Sequence, residues 1–160
     1  MSNQENLVIR PAARTDEPYL LPMMRALAEQ EPNPNPHAFR ETLVSKSFHF
    51  LLDHPERGRV WVLVVGRNLV GYIVLTLGFS FEYLGTEAFI DELYITLEYR
   101  RRGFGRSAVE YLEAEATKLG VNALHLEVDE GNDAAFELYR RRGFEDHNRF
   151  LMTKWLQQPQ

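Results

Sequence analysis

Cysteine is absent from this chain of 160 residues. That excludes a disulfide framework, thiolate zinc sites and any covalent step on a protein sulfur, so chemistry falls to carboxylates, His, Tyr, Ser, Lys and backbone groups. Positive charge is short as well: 18 Lys+Arg stand against 23 Asp+Glu, a formal net charge of −5 that argues against general nucleic-acid binding. Long hydrophobic runs are missing. The nearest thing to a membrane span, 60–77, is broken by Gly66, Arg67, Asn68 and Gly71, and the polar start over 1–6 has no apolar signal segment. These absences predict a cytoplasmic protein with neither membrane nor nucleic acid as a partner. Proline is scarce beyond the first third, seven of eight lying at or before Pro55.

What is present fits one domain over 1–160, with its core at about 7–156. A chain of this length buries roughly 70% of its unfolded surface and folds alone. A short strand is expected at 7–10. Leu20, Met23, Met24, Leu27 and Ala28 are spaced for a helix over 16–30. The run Glu31-Pro32-Asn33-Pro34-Asn35-Pro36 must be a loop, and a second helix fits 37–52, with Gly58 ending the helical half. Two β-branched and aromatic runs, 60–65 and 69–79, flank the hairpin signal Gly66-Arg67-Asn68. A third strand fits 88–95, and connections too short for a crossover make the three antiparallel. Val109, Leu112, Ala116 and Leu119 mark a helix over 103–119. Then come a strand at 123–128, a short helix at 133–142 capped by Asn132 or Asp133, and two last strands at 144–147 and 150–155. The fold class is a mixed α/β layer fold.

The hexapeptide Tyr-Arg-Arg-Arg-Gly-Phe occurs at 99–104 and again at 139–144, with unrelated flanks. In the second copy the arginines end a helix, where the macrodipole favours cations, and Gly143 can take the left-handed cap conformation. In the first copy Arg100, Arg101 and Arg102 precede a helix N-terminus and Arg106 lies in its first turn. Four cations there are unfavourable by roughly 0.3–1 kcal/mol each unless an anion is present. A solvated basic loop paired to Glu98, Glu110 and Glu113 is the plain alternative. Gly103 and Gly105, either side of Phe104, favour an anion site because they let backbone approach a phosphate. A Walker loop is absent, and the dinucleotide pattern Gly103-x-Gly105-x-x-Ala108 fails because seven residues, 96–102, stand where a tight turn belongs.

A strand, that gap, Arg100-x-x-Gly103-x-Gly105 and a helix together resemble the phosphate-binding motif of the GNAT superfamily of N-acetyltransferases. Asn132, Ala135, Leu138, Tyr139, Gly143 and Phe144 resemble its second signature. The element order agrees over about 7–156. The resemblance implies a mostly antiparallel sheet of about seven strands with a splayed centre and four helices, and acetyl-CoA as donor. It implies pyrophosphate on the amides of 101–106, with Arg100, Arg101, Arg102, Gly103, Phe104, Gly105, Arg106 and Asn132 at the cofactor and the backbone of Leu93, Tyr94 and Ile95 along its pantetheine arm. Tyr139 is then the general acid, since a phenol of pKa about 10 can protonate a thiolate whose conjugate acid lies near 8.5. A core tyrosine is the other reading.

For the base, Asp91 and Glu92 interrupt an apolar strand, and alternation places adjacent residues on opposite faces. Glu92 is the candidate, directly or through water, with Glu127 second. The aromatic and acidic run Phe79-Ser80-Phe81-Glu82-Tyr83 and the strand after it resemble the diamine and polyamine acetyltransferase branch. Glu82, Asp91 and Glu127 would then meet a small cationic amine, in direct transfer within a ternary complex. The other reading makes Glu82 and Glu87 solvent-facing hairpin residues, Glu87 the more readily, and the loop at 29–36 could border the same opening. Acetylation of a protein N-terminus or lysine, and a silent acyl-CoA-binding module, stay open. No metal is implied. A homodimer through 150–156 is an expectation of the family alone.

Overall fold

The computed structural model of the chain describes residues 6–30 and 39–156. One five-stranded sheet runs in the order β1 (Leu7–Pro11), β2 (Gly58–Val65), β3 (Asn68–Ser80), β4 (Gly85–Ile95) and β5 (Ala123–His125). The first four pair antiparallel and β5 pairs parallel to β4. The helices are α1 (Glu17–Ala28), α2 (Glu41–Asp53), α3 (Phe104–Lys118) and α4 (Asp133–Arg141). This is the mixed α/β class expected. The Pro-rich run 31–36 and the first residues of the expected second helix lie outside the described residues.

Apolar side chains on both faces explain why the strands read as nearly unbroken hydrophobic runs. On one face Trp61, Leu63, Ile73, Leu75, Ala88 and Ile90 pack with Phe104, Ala108 and Leu112 of α3. On the other, Val60, Val62, Tyr72, Val74 and Tyr94 meet Leu20 and Met24 of α1 and Phe48 of α2. Gly66, at φ +60°, turns β2 into β3 through a two-residue loop, Val65 pairing Asn68. Gly58, expected to end the helical half, opens β2 instead. A Cβ there would stand 2.4 Å from the Leu75 carbonyl oxygen, so only glycine permits this strand approach.

Two expectations are corrected. The strand predicted over 123–128 pairs only through His125, and no strand forms at 144–147 or 150–155, so among the described residues the sheet has five strands rather than about seven. A strand exists by ladder pairing. Residues 144–156 are instead held through side chains, Arg149 on Glu82 and Phe144 on Tyr139. Phe150, Met152 and Leu156 are exposed.

The buried carboxylate Asp16 anchors β1 to the start of α1. It accepts two hydrogen bonds from Arg10, at 2.8 Å each, and one from the Ala13 amide at 2.8 Å. The Arg10 guanidinium holds the Asp16 carboxyl below its usual range despite burial. A depressed folded-state pKa gives stability that is present above the unfolded value, about 3.9, and lost as pH falls through the folded one. Asp16→Asn is therefore expected to lose about 1.5–3 kcal/mol near neutral pH. In denaturant melts that gap from wild type closes below about pH 4; a constant gap would show that the charge is not its source.

Candidate active site

The site begins where β4 loses a partner. Its ladder with β5 has three pairs, the last being Phe89 with His125. Beyond them β4 continues to Ile95, paired with β3 alone. The Thr96 amide donates to the Val70 carbonyl at 2.9 Å, so by strand alternation the amides of Leu93 and Ile95 point away from β3, into the gap. Tyr94 turns its side chain into the α1–α2 core.

Within this stretch β4 carries a bulge. Val74 pairs Glu92 and Leu75 pairs Ile90, leaving Asp91 without an opposite residue. The bulge shifts the side-chain alternation by one. Ala88 and Ile90 face α3 before it, and Leu93 and Ile95 face α3 after it. Glu92 therefore shares the other face with Tyr72, whose hydroxyl donates to Glu92 Oε2 at 2.7 Å. Burial and the Glu92 charge push the Tyr72 phenol far up, so it keeps its proton and stays a donor. Tyr72 is a site residue that the sequence analysis missed: it lies in an apolar run and carries no motif.

Asp91 and Glu127 form a second acidic pair. Burial raises the Asp91 carboxyl although the residue keeps an open flank. Glu127 is raised by burial first, then by the charges of Asp129 and Asp91. Both carboxylates hold protons more readily than ordinary ones, as proton acceptors near neutral pH must. Glu82 sits in the β3–β4 turn, with both oxygens taken by Arg149 at 2.7 and 3.0 Å.

The turn from β4 into α3 forms an anion cradle. Arg101 at φ +60° and Gly103 at φ +83° alternate with right-handed or extended residues, a geometry that makes backbone amides converge. Gly103 caps α3, and nothing lies within 4 Å of where its Cβ would be. A Cβ at Gly105 would make only ordinary contact with Leu138 and Ile95. Packing does not demand these two glycines; open room above the amides of a helix N-terminus fits a phosphate. Phe104 is buried against α3's sheet face and anchors the turn.

Three arginines around the cradle, Arg100, Arg102 and Arg106, have protein partners. Arg100 donates to the Ile95 carbonyl at 2.8 Å and lies over the Tyr94 ring at 5.4 Å. Arg102 donates to the Glu98 carbonyl at 2.7 Å and lies over Tyr99 at 4.8 Å. Arg106 donates to Glu110 at 2.9 Å. What the turn leaves open is therefore backbone amides, with these guanidinium groups committed to protein partners around them.

Helix α4 faces the same turn. Asn132 caps it, its side chain accepting from the Ala135 amide at 3.2 Å. Tyr139 is half-buried, edge-on to Phe144 at 5.6 Å, and burial raises its phenol. Arg142 ties the end of α4 to α3, donating to Glu110 at 3.0 Å and to both oxygens of Glu113. Between the helices lies a groove of about 490 Å³ lined by Arg106, Ala134, Glu137, Leu138, Arg141 and Arg142. Among the described residues no cluster of metal-binding side chains occurs, and no helix is long and apolar enough to cross a membrane.

The chain is 40% identical over 60 residues to the [ribosomal protein bS18]-alanine N-acetyltransferase of Escherichia coli K12, a match covering 38% of this chain and 40% of that enzyme's length. An integron cassette protein from a salt-marsh metagenome has the same fold, with a TM-score of 0.81 and 33% identity over 94% of this chain and 91% of its own. A protein of Clostridium acetobutylicum, described as a predicted acetyltransferase and solved with acetyl-CoA, matches at a TM-score of 0.74. Its 17% identity, over 93% of this chain and 96% of its own, speaks for the fold alone. The acetyltransferase (GNAT) family, whose acyl donor is acetyl-CoA, matches residues 20–144. On that match, with the splayed β4 and the amide cradle in place, the chain belongs to the GNAT acetyltransferase family.

Proposed function

We propose that the protein transfers the acetyl group of acetyl-CoA to a primary amine of a small cationic molecule, polyamine-like in charge, by direct attack in a ternary complex. What supports this acceptor is the placement of two carboxylates, Asp91 and Glu127, beside the point where β4 and β5 part. Bound acetyl-CoA supplies a thioester whose acyl carbon accepts the amine and whose sulfur leaves as a thiolate. The 101–106 amides would hold its pyrophosphate, and the gap-facing amides of Leu93 and Ile95 would align the pantetheine arm. Asp91 and Glu127 attract the ammonium, and a carboxylate takes its proton before the nitrogen lone pair can attack. Glu92, fixed by the Tyr72 hydroxyl, is the base through a water. Tyr139 gives its proton to the departing sulfur and recovers one from solvent. With no cysteine in the chain, no acetyl-cysteine enzyme intermediate can form.

A second reading, acetylation of a protein N-terminus, is favoured by the 40% identity to the ribosomal-protein-alanine enzyme. Thiol release from acetyl-CoA with a panel of polyamines, aminoglycosides, amino acids and peptides separates the two. Turnover with free polyamines is expected; turnover with peptides alone transfers the conclusion to the second reading, and silence across the panel points to an acyl-CoA-binding module.

Three variants test the roles. Tyr139→Phe keeps the ring contact with Phe144, so kcat is expected to fall roughly 10²–10⁴-fold while acetyl-CoA affinity holds; unchanged kcat removes Tyr139 as the acid. Gly103→Ala places a side chain at φ +83° at a cost of about 1–2 kcal/mol. Saturating acetyl-CoA, worth about 2.7 kcal/mol at a hundredfold excess over its Kd, should then raise Tm less than in wild type. An equal rise would place the phosphate elsewhere. For Asp91 the sign runs opposite to Asp16. Its folded-state pKa is raised, so stability falls as pH rises from about 3.9 through the folded value. Asp91→Asn should melt at least as high as wild type at pH 7–8 while losing turnover with cationic amines; a lower Tm would show that the ionised group is stabilising.

A further inference from the structure

On the face of the sheet opposite α3, beside the acceptor carboxylates, stands a second arrangement suited to a cation. Glu87 and Phe89 of β4 and His125 of β5 share this face, since Ala88, Ile90 and Leu124 between them point to the α3 core. Phe89 joins neither apolar cluster, although half-buried. His125 lies 4.7 Å from the Tyr83 ring and 6.5 Å from Phe89, measured between centroids. Among the described residues its buried Nε2 has no hydrogen-bond partner. The Glu87 Oε2 atom approaches that nitrogen at 3.4 Å without completing a hydrogen bond. Gly78 pairs with Glu87 and offers no side chain, and a Cβ there would stand 3.5 Å from the Glu87 carboxylate. Glu87 thus carries its charge over bare backbone, beside His125 and the two rings packed around it, with a third of its side chain open to solvent. Glu82, five residues earlier, has both oxygens committed to Arg149.

We infer that Glu87, with the rings of Tyr83, Phe89 and His125, is a distal cation subsite that selects acceptors bearing a second positive charge far from the amine being acetylated. A carboxylate beside aromatic faces is the chemistry that recognises an alkylammonium. The spacing follows from register: Glu87 pairs Gly78 and Glu92 pairs Val74, four β3 residues apart, or about 13 Å at roughly 3.3 Å per residue. A short diamine cannot span that length. A long linear polyamine can, and so can a peptide whose basic side chain lies a few residues from its free α-amine. The inference rests on the amine-acceptor reading and adds to it a residue and a length rule.

The test compares wild type with Glu87→Gln, using the full chain, acetyl-CoA and thiol release. Acceptors are spermine, a two-carbon diamine, a monoamine, and a pair of peptides with Lys or Gln at the fourth residue. KM for spermine or the Lys peptide is expected to rise roughly tenfold in the variant, with kcat held and the monoamine unaffected. Whichever of the two responds identifies the source of the charge. Phe89→Leu should give a smaller rise of the same selectivity. Equal changes for all acceptors, or none, overturn the subsite. Should wild type acetylate no acceptor, the amine reading itself fails. Calorimetric binding of spermine to the two proteins then decides the subsite alone: weaker binding by Glu87→Gln supports it, and equal binding overturns it.

Discussion

Everything at this site depends on one strand being paired on one side only. A buried strand edge with unmet amides and carbonyls costs free energy, so folded chains seldom leave one open without something to cover it. Here the parallel ladder to β5 ends after three pairs, and β4 runs on to Ile95 with its outer edge turned to a gap. An extended ligand with amide groups can complete that edge, which is what the arm of the family's donor offers. The protein makes a small concession at the far end, where Arg100 donates to the Ile95 carbonyl and lies over Tyr94. That contact fixes the last paired residues against the turn that holds the cradle. The open strand edge and the amide-lined turn are thus one continuous piece of backbone, from Leu93 to Gly105.

The bulge at Asp91 then decides which carboxylate does what. In a regular strand Asp91 and Glu92 would face opposite ways, and Ile90 and Glu92 the same way. The extra residue reverses this beyond Ile90, sending Glu92 to the α1–α2 face and its bond with Tyr72, while Leu93 and Ile95 rejoin the α3 core. One carboxylate is fixed by a phenol, and the other is left under desolvation beside Glu127, which desolvation and the charges of Asp129 and Asp91 raise in turn. Two acids one residue apart acquire different environments, the usual physical route to different roles.

Much of this was legible in the residues, and the boundary has a physical meaning. Runs of β-branched side chains placed β2, β3 and β4, and Gly66 placed their hairpin, because these are local preferences of the backbone. Gly103, Gly105 and the helix after them pointed to an anion for the same reason. The bulge was not legible: register belongs to two strands at once, and nothing in Phe89-Ile90-Asp91-Glu92 marks which residue is extra. Tyr72 was invisible for the same reason, since its partner is twenty positions away. The strands expected beyond Phe144 fail differently. Their composition suits a strand, yet β5 pairs for only three residues, and Arg149 anchors the segment to Glu82 instead. Propensity proposes strands, and pairing decides them.

The repeated hexapeptide shows how one local sequence serves two ends of a helix. Both glycines take positive φ, +83° at Gly103 and +90° at Gly143, and both copies bring their Tyr and Phe rings together, at 6.4 and 5.6 Å. The conformation is a local property; its meaning comes from the dipole. At the start of α3 the left-handed turn exposes amides, and the arginines there find carbonyls, rings and Glu110. At the end of α4 the same turn leaves carbonyls behind, and Arg142 reaches across to Glu110 and Glu113 of α3. Since Arg106 shares Glu110 with Arg142, the start of α3 and the helix that carries Tyr139 meet at one carboxylate. Arg142 also holds Glu113, one turn along α3, so α4 stays fixed to that helix by a carboxylate that Arg106 does not touch.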